Sequence, residues 1–195
     1  MIITKESKEI RFAGDKYVYI GIDCEENADM IFEGLVEILL DKPLLVKGNI
    51  KVGRLHGQAI HCRNDVEVTG DASVKELMVY GANVSVGGNL IAHYISCDDL
   101  SVSGNAYVED GICCYGAICV HGDLRSHIPH TLKVTACGGL HVDKDVDVDS
   151  VAANFVEVNG YLKAYNNIKF REQVKAKNGI FCCGVICHEE DIDEY

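Results

Sequence analysis

The ten cysteines and eight histidines are the residues of this chain best suited to chemistry. Two phrases concentrate them: Cys113-Cys114 with Cys119, and Cys182-Cys183 with Cys187-His188. Thiolates and imidazoles in paired Cys-x2–4-Cys knuckles are what a structural zinc site uses. Here the cysteines are adjacent or four and five apart. Adjacent residues of a strand point to opposite faces, so Cys113 and Cys114 are not expected to share an ion. Instead, Cys114 and Cys182 are expected to fill a narrow core as small hydrophobes. His127-Ile128-Pro129-His130 is the one histidine cluster, in an expected excursion from Arg125 to Thr131 where binding residues would sit. Histidines 56, 61, 93, 121, 141 and 188 are scattered. Asp143, Asp145, Asp147 and Asp149 alternate, which on a strand lines four carboxylates along one solvated face. A calcium-binding EF-hand loop needs Gly at its sixth position and Glu at its twelfth, where Val148 and Asn154 stand. Gly-x-Ser-x-Gly, His-Glu-x-x-His and phosphate-binding Gly-Lys-Ser/Thr motifs do not occur. The expectation is therefore no catalytic, cofactor-binding or metal residue, and no enzyme.

The elements that must hold these side chains are written in a repeating phrase, apolar-x-apolar-x-Gly-Asn/Asp-apolar. It reads Leu45-Val46-Lys47-Gly48-Asn49-Ile50, then Val66-Glu67-Val68-Thr69-Gly70-Asp71-Ala72, and returns around Gly88-Asn89-Leu90, Gly104-Asn105-Ala106 and Gly122-Asp123-Leu124. Glycines 48, 70, 88, 104 and 122 are 22, 18, 16 and 18 residues apart. Self-similarity at this period marks one supersecondary unit stacked many times. Val66/Val68, Val84/Val86, Leu100/Val102, Ile118/Val120 and Val156/Val158 each flank one polar or small residue, the period-two pattern of a half-buried strand. Gly and Asn tolerate left-handed backbone angles, so Gly-Asn/Asp pairs are expected at corners. One strand-corner phrase repeated in a single register predicts parallel strands in a coil, about 4.8 Å apart. The phrase continues more loosely through Ala136 to Val142, counted to Gly139, and again at Gly160 and Gly179. The run from Gly111 to His121 matches the run from Gly179 to His188. About eight turns fit between Leu44 and His188, a rod of about 40 Å.

The predicted fold class is all-β: a single-stranded parallel β-helix, or β-solenoid, with a small N-terminal α+β cap. Right-handed coiling is expected, because parallel crossovers prefer it. Residues 1–43 form the cap. In it Ile10-Arg11-Phe12 and Tyr17-Val18-Tyr19-Ile20 make a strand pair, and residues 26–41 a helix. Asn27 is its N-cap, and Met30, Ile31, Leu35, Ile38 and Leu39 its apolar stripe. Residues 44–188 form the solenoid, and residues 189–195 a solvated acidic tail or a charged guard against end-to-end stacking.

Net charge is −12, and no stripe of Lys and Arg is visible. This argues against a nucleic-acid partner. Met1 to Glu9 has no apolar signal-peptide core. The longest apolar stretch, Leu35 to Leu40, is interrupted by Glu37 and too short for a membrane span. A cytoplasmic location with reduced thiols is expected.

The phrases Val46-Lys47-Gly48-Asn49-Ile50, Gly70-Asp71-Ala72, Gly88-Asn89-Leu90, Gly104-Asn105-Ala106 and Gly122-Asp123-Leu124 resemble those of the bactofilins, bacterial polymer-forming cytoskeletal proteins. The resemblance covers residues 44–125 well and 132–188 loosely. It implies a right-handed parallel β-helix, no catalysis and self-association. The chain differs in its long N-terminal segment, its many cysteines and its lack of Pro-rich tails. A second pattern, Leu100, Ala106, Ile112, Ile118 and Leu124 at spacings of six, is similar to left-handed hexapeptide-repeat proteins, many of them acyltransferases or carbonic anhydrase-like enzymes. Apolar Val102, Val108, Cys114 and Val120, two residues after each hexad start, favour longer strands with two inward residues each.

The leading expectation is a non-enzymatic scaffold that associates with itself as a homo-oligomer or polymer. One alternative is a hexapeptide-repeat-like enzyme with its site between subunits. Another is an acidic inhibitor or immunity factor that neutralises a basic protein partner.

Overall fold

Each turn of the coil presents three flat faces. The computed structural model describes residues 9–13, 18–19, 29–33, 37–40, 44–46, 50–52 and 54–188. The chain winds through about seven turns of a β-solenoid, and the described strand pairings are parallel. Face 1 stacks Val66–Val68, Val84–Val86, Leu100–Val102 and Ile118–Val120, followed by 140–142, 156–158 and 174–176. Face 2 stacks 72–74, 90–92 and 106–108, then Leu124–Arg125, Val146–Val148, Tyr161–Ala164 and Gly179–Cys182. Face 3 stacks 77–79, 95–97, 112–114, 134–136, 151–153, 168–170 and Ile186–His188.

Alternation sorts the side chains. In one turn Leu100, Val102, Ala106, Val108, Ile112 and Cys114 all point inward and are at most 1% exposed. Six apolar side chains thus fill this cross-section, two per strand, as they do in the turns over 66–79, 84–97 and 140–153, and the spacing of six is the length of one face with its corner. Large and small residues alternate along a column: Ala72, Leu90, Ala106 and Leu124 sit one above the next. That alternation lets layers about 4.8 Å apart interdigitate.

The corners are held by a side-chain ladder. Asp71 Oδ1 accepts the backbone N–H of Asn89 at 2.7 Å, Asn89 Oδ1 that of Asn105 at 2.9 Å, and Asn105 Oδ1 that of Asp123 at 2.9 Å. Asp123 Oδ1 then accepts from Asp145 N, and Asp145 Oδ1 from Tyr161 N. Each rung satisfies an amide that the turning backbone cannot pair, at a net gain of about 0.5–1.5 kcal/mol. A second ladder, Asp65 to Asn83 to Asp99 to Ala117, holds the corner between faces 3 and 1. Above it the ladder moves to the corner between faces 2 and 3, where Asn167 Oδ1 accepts from Val185 N. The irregular segment 126–132 separates the two regimes.

The glycines act differently from expectation. Among the described residues only Gly81, Gly179 and His130 have positive φ. The corner glycines are required by close approach instead. A Cβ on Gly104 would lie 2.6 Å from the carbonyl oxygen of Gly88, and one on Gly122 2.3 Å from Asn105 Oδ1.

Other expectations are corrected as well. Within the segment read as a helix over 26–41, Asp29–Glu33 and Glu37–Leu40 are strands. Glu9–Ala13 and Val18–Tyr19 do not pair with each other: they pair in parallel with Asp29–Glu33 and Glu37–Leu40. Those in turn pair with Ile50–Val52 and Arg54–Cys62. Of the expected helical stripe, Met30 and Ile31 fall in the first of these strands and Ile38 and Leu39 in the second, while Leu35 lies outside the described residues. A parallel edge that needs a partner overrides weak local propensity. Gly139 does not follow a face 1 strand, as the phrase suggested, but precedes one, and the Phe155 ring lies directly on it. The acidic segment 189–195 and the proposed N-cap Asn27 lie outside the described residues.

Candidate functional site

The alternating aspartates do not share a face, because the chain turns a corner among them. Asp143 directly follows the face 1 strand that ends at Val142, Asp145 is a rung of the corner ladder, and Asp147 points out from face 2 toward Lys163. Asp149 is buried (5% exposed) and accepts a hydrogen bond from Asn166 Nδ2 at 2.8 Å. The expected single acidic face is therefore absent.

Stacking instead builds a polar cluster on the outside of face 1. Cys119, His141 and Glu157 occupy one outward position on successive turns. His121 and Asp143 extend past the same strands, two residues further on. His121 Nδ1 donates to Asp143 Oδ2 at 2.6 Å, and His141 Nε2 donates to Asp143 Oδ1 at 3.0 Å. Asn159 Nδ2 adds a third donor at 3.0 Å. Led by His121, these donors hold the Asp143 carboxyl below the usual carboxylate range. Burial first, and then the Asp143 charge, push the Cys119 thiol up. That shift is opposite in direction to the lowering that an activated, nucleophilic cysteine uses.

The cysteines divide as alternation requires. Cys114 is fully buried with its Sγ 3.5 Å from Sγ of Cys97 in the turn below, while Cys113 is half-buried on the outside. Cys182 packs against the core, and its thiol donates to the Asn166 carbonyl. Cys183 is exposed. Among the described residues no group of three or more His, Cys, Asp or Glu is placed to hold a metal ion. The histidines of the excursion, which the structure places at 126–132, do not converge. His127 stacks on Tyr107 with ring centroids 4.8 Å apart, whereas His130 meets Tyr165 edge-on at 3.7 Å. These contacts strap the excursion along face 2.

The last described turn differs from the rest. Ile180 stacks on Leu162 and Ile186 on Ile168, both of which are 0% exposed. Yet Ile180 is 40% and Ile186 46% exposed, and Phe181 and Val185 beside them are open too. In the described pairings, Gly179–Cys182 and Ile186–His188 are bonded on one side only. Sequence reasoning noted these residues only as a repeat of 111–121.

The architecture defines the class: a three-faced parallel β-solenoid. Compared with known proteins, the chain matches no family model, no curated protein and no solved structure. No helix among the described residues is long and apolar enough to cross a membrane.

Proposed function

We propose that this protein is a non-enzymatic scaffold whose solenoids associate end to end through the last described turn. The observation that supports this most directly is the exposure of Ile180 and Ile186 at positions that are fully buried one turn earlier. A second copy on this end would bury both side chains and pair the backbone edges of 179–182 and 186–188. The resemblance to polymer-forming solenoids points the same way.

The cross-section of one turn is small beside the roughly 800 Å² per partner of a stable complex. Association is therefore expected to depend steeply on concentration. The test is light scattering over a concentration series, with electron microscopy of the concentrated sample. Growing mass or filaments are expected. They should vanish in the double variant Ile180→Lys/Ile186→Lys while far-UV circular dichroism stays unchanged. A mass that remains monomeric throughout, or assembly indifferent to both lysines, rejects the proposal.

A further inference from the structure

We propose that a groove on the outside of face 3 binds a small phosphomonoester, its phosphate held between Lys133 and Lys169 and its organic part resting on the floor between them. The groove encloses about 560 Å³, within the range of small-molecule sites.

Register explains its shape. One outward column runs Tyr94, Gly111, Lys133, Ser150, and the next runs Cys113, Thr135, Ala152, Lys169. The turn that carries Ser150 and Ala152 lies between the turns that carry the two lysines. The lysine turns are thus about 10 Å apart along the axis. Each ammonium sits on a flexible four-carbon stem, so both can reach one anion above the short side chains of the middle turn. Lys169 already has a partner within the protein. An ammonium has three donors, so it can keep that partner and still turn to a phosphate.

Charge favours the same ligand. The molecule carries −12 overall, yet the groove is lined by two lysines and one carboxylate, Asp110. A phosphomonoester carries about −1.5 to −2 at neutral pH, which two lysines balance. The Thr135 and Ser150 hydroxyls offer further donors. At the groove's head the Tyr94 ring lies over Gly111, where a Cβ would come within 3.2 Å of it. Burial first, then the neighbouring Cys113, push the Tyr94 phenol up, so it stays a neutral hydrogen-bond donor and a flat apolar wall.

The experiment is calorimetric titration of the full chain with phenyl phosphate, phenol and inorganic phosphate at fixed ionic strength. Phenyl phosphate is expected to saturate one site. Lys133→Met and Lys169→Met should each weaken it about fivefold or more, and Ala152→Leu, which fills the floor without changing charge, should do the same. Lys175→Met, on the outside of face 1, should leave it unchanged. Phenol is expected not to bind, and inorganic phosphate to bind more weakly than the ester. The proposal is overturned by no saturable binding up to about 10 mM phenyl phosphate. It is equally overturned by binding that none of the groove substitutions weakens, or by inorganic phosphate binding as well as the ester.

Discussion

Substituting Gly104 by alanine tests how the corners are built. The added Cβ would stand 2.6 Å from the Gly88 carbonyl oxygen and 2.7 Å from Asn89 Oδ1. Reaching an ordinary 3.4 Å contact from 2.6 Å requires the two turns to part by about 0.8 Å at this corner. The Gly104 N–H to Gly88 O bond, now 2.9 Å, and the Asn105 N–H to Asn89 Oδ1 bond, also 2.9 Å, would both stretch beyond hydrogen-bond range. Two lost bonds cost about 2 kcal/mol together, and forcing atoms into a filled space adds about 1–3 kcal/mol. The sum is about 3–5 kcal/mol. At about 2–4 °C per kcal/mol for a chain of this size, Tm should fall by roughly 6–20 °C. Thermal melting followed by far-UV circular dichroism measures it, and amide exchange should quicken first at Ser103, Gly104 and Asn105. Gly81→Ala is the matched control. Gly81 has φ +66° with nothing within 4 Å of a built Cβ, so alanine there incurs only left-handed strain of about 1–2 kcal/mol. If Gly104→Ala melts within about 2 °C of the parent, or Gly81→Ala is the more damaging change, close packing of turns is not what demands glycine at these corners.

Two further outcomes follow from the exterior cluster and the thiols. The Asp143 carboxyl is held below its ordinary value, chiefly by His121, so its charge stabilises the fold fully above the unfolded value of about 4 and progressively less as pH falls through the lower folded value. Asp143→Asn should therefore lower the urea midpoint above pH 4, with the difference shrinking as the pH drops below that; a gap that stays constant into strong acid would contradict the assigned role. Iodoacetamide on the native protein should modify exposed Cys183 well before buried Cys62, Cys97 and Cys114, read by peptide mass spectrometry. Labelling of Cys114 as fast as Cys183 would mean that face 3 opens readily.

Much of the coil is legible along the chain because strand parity is a local property. Val66 and Val68 point inward for the same reason that Glu67 points out, and the same parity buries Cys114 while leaving Cys113 outside. The expected separation of adjacent cysteines follows from it, whereas the excursion expected over 125–131 is displaced to 126–132, Arg125 being the second residue of a face 2 strand. The cluster on face 1 was not legible in this way. Cys119 and His141 are 22 residues apart, and only the length absorbed by the 126–132 segment sets them side by side. A sequence signal for this existed in Ile118-Cys119-Val120 and Leu140-His141-Val142, two matching apolar-x-apolar triplets. The glycine at 139 drew the alignment away from it.

The sequence by itself determined that this chain is a stack of parallel strands, and which side of each strand faces the core, because alternation and corner chemistry act within a few residues. Only the tertiary structure decided which outward residues become neighbours. That depends on how many residues each corner takes up and how closely successive backbones approach. The same accumulation of register gathered His121, His141 and Asp143 on face 1 and spaced Lys133 and Lys169 two turns apart across face 3. It also scattered the four aspartates of 143–149 around a corner, and it drew 29–33 and 37–40 into the sheet in place of a helix.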